Sequence, residues 1–318
     1  MIRALLISQL VLLTLCLPAV ADDDPPPAGE AQDRDAALAA AQQLYEAGKT
    51  EEAIAAFEVA GKDAPLATTL VIAEYLCLRK REIEAGSPYA QRCHEGGTLP
   101  QHSIPWLTSL LLSGKTRQLE TECRTLLTKY PDSAPIRFQL GVALHRQQKS
   151  IEALAVFEHL VERFPKNPSY RYGLADVLFN MRREKEAEVQ FRKVLDLEPD
   201  NRGAVCRLAE TVSFLGRYEE ADAMYRTAIK NRNREAAFLY GKFLFQRDRF
   251  EEALFYFKRW TKEYPDQAVA WSYLGRCQLQ LERPKAAKKA MEKFRELEKK
   301  NIKQEDAELL RLLQMDKD

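Results

Sequence analysis

The sequence predicts an all-α solenoid of stacked helical hairpins, and three observations predict it. An alanine followed four residues later by a large side chain recurs at Ala153/Phe157, Ala187/Phe191, Ala221/Tyr225, Ala253/Phe257 and Ala287/Met291, with intervals of 34, 34, 32 and 34 between the alanines. Ala53/Phe57 repeats the pair upstream, and Leu119/Cys123 is a weaker copy. Twelve positions before the alanines stand Ala41, Gly141, Ala175, Ala209, Gly241 and Gly275, all small. Twelve positions after stand Pro65, Pro131, Pro165, Pro199 and Pro265. Two helices of a tight antiparallel hairpin need small residues where their axes approach, and the large residue one turn on fills the groove between them. A proline then stops the second helix. No run of period-two alternation survives between these markers, which argues against strands.

The elements follow in order along the chain. Residues 1–21 have the pattern of an export signal. Arg3 supplies the positive start, Leu5 to Leu17 is almost wholly apolar, and Ala19-Val20-Ala21 gives a small-x-small cleavage site after Ala21. Acylation at Cys16 is disfavoured by the bulky Leu15 before it. A periplasmic or secreted protein is therefore expected. No second apolar stretch is long enough to span a bilayer, so no transmembrane segment is expected in the mature chain. Residues 22–33, DDDPPPAGEAQD, have no apolar periodicity and are expected to form a flexible acidic, proline-rich spacer. Lys and Arg total 48 against 47 for Asp and Glu, a formal charge of +1. That near-neutral balance gives no global attraction to nucleic acid.

The repeat resembles the tetratricopeptide repeat family. The best single copy is Trp271-Ser272-Tyr273-Leu274-Gly275, which reproduces the family's W-x-x-L-G opening, although Gln278 stands where an aromatic is usual. The resemblance implies a right-handed superhelical solenoid of about eight helix-turn-helix repeats. They are placed at 34–67, 68–99, 100–133, 134–167, 168–201, 202–233, 234–267 and 268–300. Residues 301–318, with Ile302, Leu309, Leu310, Leu312 and Leu313, are expected to form an amphipathic capping helix and tail. Departures are concentrated in three copies. The second lacks the Ala/Phe pair and carries Gly86, Pro88, Gly96 and Gly97; the third has Pro105 inside its first helix; the sixth is two residues short and ends on Asn233.

Catalytic chemistry has no foothold in this pattern. The four histidines, His94, His102, His145 and His159, show no metal-binding spacing with a third ligand. Neither a glycine-rich phosphate loop nor a nucleophile elbow occurs. Acid pairs such as Glu219-Glu220 and Glu251-Glu252 open second helices, where they complement the helix dipole. The expectation is a protein that is not an enzyme and uses no cofactor or metal. Cys77 and Cys93 stand 16 residues apart on the two helices of the irregular second hairpin. A bridge there would close a loop worth about 3 kcal/mol, and the alternative is two reduced core thiols.

Function is expected on the concave groove lined by first helices. Groove positions give Phe138, Val142 and His145; Tyr172, Asp176 and Phe179; Cys206, Glu210 and Ser213; Phe238, Lys242 and Phe245; then Ser272, Arg276 and Leu279. From these, Phe138, Tyr172, Phe179, Phe238, Lys242, Phe245 and Arg276 are the expected partner-binding residues, since aromatic anchors beside a few charges suit peptide recognition. The competing reading is that the aromatics are packing between hairpins. The resemblance implies a scaffold or adaptor of the bacterial cell envelope that binds a partner protein or peptide. The alternative is a regulatory subunit of an envelope polysaccharide synthesis or export enzyme.

Overall fold

A computed structural model describes the backbone of residues 28–315 apart from 63 and 81. Side chains are described for residues 36–300 apart from 63, 81 and 234. The export signal and the first half of the acidic spacer, residues 22–27, lie outside the described residues, whereas residues 28–33, expected to be flexible spacer, are helical. Among those described, every regular element is a helix and none is a strand, so the all-α repeat class holds. The chain divides into two compact units, residues 1–183 and 184–318.

The first unit contains α1 (Ala28–Glu46), α2 (Thr50–Gly61), α3 (Leu66–Ala73), α4 (Ile83–Gly96), α5 (Ile104–Leu112), α6 (Thr116–Lys129), α7 (Ala134–Arg146), α8 (Ser150–Arg163) and α9 (Pro168–Asn180). A π-helical segment, Glu74–Lys80, follows α3, and a 3-10 turn, Pro100–Ser103, precedes α5. These two pieces are where the second and third repeats depart from pattern. Pro105 is tolerated because it falls in the first turn of α5, where its missing N–H would have had no partner. Gly86 on α4 lies against the π segment so closely that a Cβ there would stand 2.5 Å from Cys77 Sγ. Cys77 and Cys93 share one buried cluster with Leu70, Ala73 and Ala90. Both are free thiols in the structure.

The second unit contains α10 (Glu184–Leu197), α11 (Arg202–Phe214), α12 (Tyr218–Lys230), α13 (Arg234–Gln246), α14 (Phe250–Glu263), α15 (Ala268–Gln280) and α16 (Pro284–Met315). The backbone of α16 runs unbroken past residue 301. Residues 301–315 therefore extend the second helix of the last hairpin, and a separate capping helix does not form.

Most turns inside the hairpins share one backbone device. Gly48, Gly114, Gln148, Arg182, Gly216, Asp248 and Glu282 all take positive φ between 57° and 81°. One residue later an N–H returns to a carbonyl five positions back, as from Lys149 to Leu144, Arg217 to Val212 and Arg249 to Leu244. This is the Schellman closure, which satisfies the last carbonyls of the first helix. The turns between hairpins work differently. Arg171 Nε and Trp271 Nε1 each donate to the carbonyl of the proline six residues earlier, Pro165 and Pro265, at 2.8 Å. The tryptophan of the W-x-x-L-G copy thus ties its helix to the preceding turn. Asn167, Asn201 and Asn233 cap α9, α11 and α13, each side-chain oxygen accepting from the backbone N–H three residues on.

Candidate partner-binding face

Burial separates the seven expected groove residues into two groups. Phe138, Tyr172, Phe179 and Phe238 are core, which corrects their assignment to an accessible surface. Phe138 sits 5.8 Å from Phe157 and 5.5 Å from Tyr170 between ring centroids. Phe238 is 1% exposed and surrounded by Phe257, Trp260 and Tyr273 at 5.3–6.0 Å. At the position of Phe138 and Phe238 the side chain packs between the second helix of its own hairpin and the first helix of the next, so a large apolar residue there is packing.

Lys242, Phe245 and Arg276 do reach solvent. All three lie in the second unit, on the first helices α13 and α15. The Arg276 guanidinium lies over the Phe245 ring, 4.7 Å from its centroid, and 5.4 Å from that of Tyr273. Phe245 is fixed from beneath by edge contacts to Phe250 at 5.4 Å and Tyr273 at 5.8 Å. Leu279, one turn beyond Arg276, is 56% exposed. Lys242 Nζ stands 3.8 Å from Glu210 Oε1, and the other oxygen of Glu210 accepts from Arg207 at 3.0 Å. Arg276 meets no carboxylate among the described residues. A held guanidinium on an aromatic ring, flanked by an exposed leucine, can accept both a carboxylate and an apolar side chain.

In the first unit the same first-helix positions are filled differently. His145 Nε2 stands 3.1 Å from Asp176 Oδ2 and 3.0 Å from Asn180 Nδ2, with both His145 and Asp176 buried. His145 and Asp176 are thus buried within the stack, with only Asn180 of the three exposed. Among the described residues no cluster of His, Cys, Asp and Glu could hold a metal ion. None of the described helices is long and apolar enough to cross a membrane.

Second helices carry an ion-pair ladder that sequence reading overlooked. Glu188, Arg192, Arg217 and Glu220 form a closed set, with Arg217 donating to both acids at 2.8–2.9 Å and Arg192 doing the same. The set recurs one repeat on, where Asp222 accepts from Arg226 and Arg249, and Arg249 from its side reaches Glu252. Two repeats earlier it is Glu120 with Arg124 and Lys149, and Arg124 with Glu152. The hydrogen bond from Lys149 holds the Glu120 carboxyl below its usual range, and Arg217 does the same to Glu188 and Glu220. The signal in the sequence was an acid followed by a base four residues later, then a base in the next turn and an acid three beyond it.

A further opening lies at the short sixth repeat, a cavity of about 680 Å³ lined by Arg202, Arg232, Asn233, Tyr256, Arg259 and Trp260 among others.

Comparison with known proteins agrees with this architecture. A family described as tetratricopeptide repeat matches residues 138–202 and 206–268, and a second profile of the same description matches residues 244–306. No curated protein sequence matches the chain. Among solved structures, a tetratricopeptide repeat protein from Parabacteroides merdae is similar over 72% of this chain and 91% of its own, at 14% identity and a TM-score of 0.58. The Cut9–Hcn1 hetero-tetramer of the APC/C is similar over 73% of this chain and 46% of that chain, at 18% identity and the same TM-score. MamA from Desulfovibrio magneticus is 20% identical over 53% of this chain and 97% of its own, with a TM-score of 0.44. The periodic alanines, the hairpin turns and the matched profiles together place the chain in the tetratricopeptide repeat family.

Proposed function

We infer that the chain is a non-catalytic interaction scaffold of the bacterial cell envelope, exported through its N-terminal signal, that holds a segment of a partner protein on the first helices of its second unit. Tetratricopeptide hairpin stacks are protein- and peptide-binding modules, and a binding role suits a chain whose titratable residues form ladders and caps. The observation that carries the reading is the Arg276 guanidinium seated on Phe245 beside exposed Leu279. Such a surface offers a rigid aromatic, a cation and an apolar contact within two turns, the combination that concentrates affinity at interfaces. The export part rests on residues 1–21 and the Ala19-Val20-Ala21 site.

A photo-crosslinker placed at Leu279 tests the binding part. It is expected to give a discrete adduct that disappears in Phe245→Ala/Arg276→Glu, while a crosslinker at Phe255 on the second-helix face of α14 gives none. Equal adducts at both positions, or an adduct indifferent to the double substitution, count against the assignment. The export part predicts a cell-derived protein whose intact mass begins at Asp22; a mass beginning at Met1 refutes it.

A further inference from the structure

The sixth repeat is two residues short, and the consequence is structural. Elsewhere a proline-bearing turn joins one hairpin to the next, as at Pro165 and Pro265. Between α12 and α13 the joint is Asn231-Arg232-Asn233 alone. Arg232 takes φ 58°, and the Asn233 N–H returns to Ala228 O at 3.0 Å. The joint between hairpins has therefore adopted the tight closure used within them. Asn233 anchors it by donating to Arg202 O at 2.9 Å and approaching Cys206 Sγ at 3.2 Å. The cavity of about 680 Å³ lies beside this shortened joint, with Arg232 and Asn233 in its lining. That volume is within the range of about 300–1,000 Å³ typical of ligand sites.

The lining has a definite chemistry. Ile229, Ala237, Tyr256 and Trp260 supply the apolar part, and the Trp260 indole N–H is already committed to Gln267 Oε1 at 2.8 Å. Arg202, Arg232 and Arg259 stand around it, and none of the three guanidiniums meets a carboxylate or an aromatic face among the described residues. Arg192, Arg217, Arg226, Arg249 and Arg283 of the same unit are, by contrast, ion-paired. Three unpaired guanidiniums held around an apolar pocket favour a ligand that brings negative charge and an apolar side chain together. Glu263 is the one acid in the lining; it tempers the field and disfavours a densely charged phosphate ligand.

We propose that this pocket is a second docking site, which takes an acidic peptide segment of a partner protein, with an apolar side chain in the pocket and carboxylates on Arg202, Arg232 and Arg259. It lies toward the first-turn end of α11 and α13, whereas Phe245 and Leu279 lie toward the last-turn end of α13 and α15. The proposal rests on the scaffold reading only for its class of ligand, since no residue is shared with the Phe245/Arg276 face.

The test uses the full-length chain and a fluorescein-labelled ten-residue peptide in which glutamates flank one leucine and one phenylalanine, read by polarisation. Binding at about 10–100 μM is expected at low salt. It should weaken at least about tenfold when each glutamate becomes glutamine, and by a similar factor in Arg202→Gln/Arg259→Gln. Both positions are exposed on helices, so the variant should melt with the wild type. The Phe245→Ala/Arg276→Glu variant should bind this peptide unchanged. Equal binding of the glutamine peptide, or full binding by the arginine variant, overturns the proposal. Loss confined to Phe245→Ala/Arg276→Glu assigns the peptide to the other face and likewise overturns it. Displacement by inorganic pyrophosphate at micromolar concentration would make the pocket a phosphate site and end the peptide assignment.

Discussion

A Cβ built on Gly173 would stand 2.3 Å from Cε1 of Phe157. The same ring leaves only 2.9 Å between its Cζ and a Cβ on Gly141. Phe157 on α8 is thus clamped between the first helix of its own hairpin and the first helix of the next. Gly173→Ala should destabilise the first unit by about 1–3 kcal/mol through overpacking. Helix propensity alone would favour alanine by about 1 kcal/mol, so the sign of the change in the urea midpoint decides. A stabilised variant would mean that the ring has room to move.

The left-handed turn residues make a paired prediction. Glu282 has φ 57° and Gly216 has φ 81°, with nothing within 4 Å of a Cβ at Gly216. A left-handed non-glycine residue costs about 1–2 kcal/mol. Glu282→Gly should therefore raise stability by roughly 1 kcal/mol, and Gly216→Ala should lower it by a similar amount. Matching denaturation curves for the two variants and the wild type would remove the backbone argument.

The ion ladder gives a pH dependence with a definite sign. Hydrogen bonds from Arg217 hold Glu188 and Glu220 below the ordinary glutamate range, and Arg249 does the same for Glu252. A carboxyl lowered on folding contributes stability that is present above its unfolded value, near 4.3 for glutamate, and is lost as pH falls through the lowered folded value. The second unit should lose stability as pH drops below about 4.3. Arg217→Gln should flatten that loss, because the two acids it lowers return toward their ordinary values. An unchanged slope in the variant would show that the ladder is solvated and energetically idle, as many exposed pairs are.

Thiol chemistry separates the two readings of the second hairpin. Burial pushes the Cys77 and Cys93 thiols up to about 12, and those of Cys206 and Cys277 to the same level. Thiolate is the reactive form. These cysteines should resist Ellman's reagent in the native protein and all titrate after denaturation without reductant. Two thiols missing from the denatured count would place a bridge between Cys77 and Cys93.

Much of the fold was legible because its markers repeat. The Ala/Phe pair and the small residue before it report one geometric requirement: Gly141 and Phe157 meet in space as their spacing implies, and Ala153 is fully buried. The irregular second hairpin was legible as a departure, but not as a π-helical segment at Glu74–Lys80, since nothing in EYLCLRK marks that hydrogen-bond pattern. The arginine pocket was illegible for another reason. Arg202, Arg232 and Arg259 come from a helix start, a turn and a second helix, at spacings that follow no period of the repeat. Only the missing two residues before Asn233 pointed to the place.

The groove aromatics were half legible, and two phenylalanines on one helix show why. Phe238 and Phe245 are seven residues apart on α13, two turns along nearly the same face. Groove register assigns both to the surface. Phe238 lies where α13 meets α14 and α15, and Phe257, Trp260 and Tyr273 close over it. Phe245 lies at the last turn, beside the hairpin turn to α14, where Phe250 and Tyr273 meet its edges and the exposed Arg276 guanidinium lies over its ring. Phe238→Ala should therefore cost about 3–5 kcal/mol as a buried aromatic truncation. Phe245→Ala should cost clearly less, since Phe245 is only partly buried and the group over its ring is the exposed Arg276 guanidinium. Partner crosslinking from Leu279 should fall in Phe245→Ala while its helical circular-dichroism signal stays near wild type. If instead both substitutions unfold the second unit alike, Phe245 is a core residue as well, and the binding face reduces to Lys242, Arg276 and Leu279.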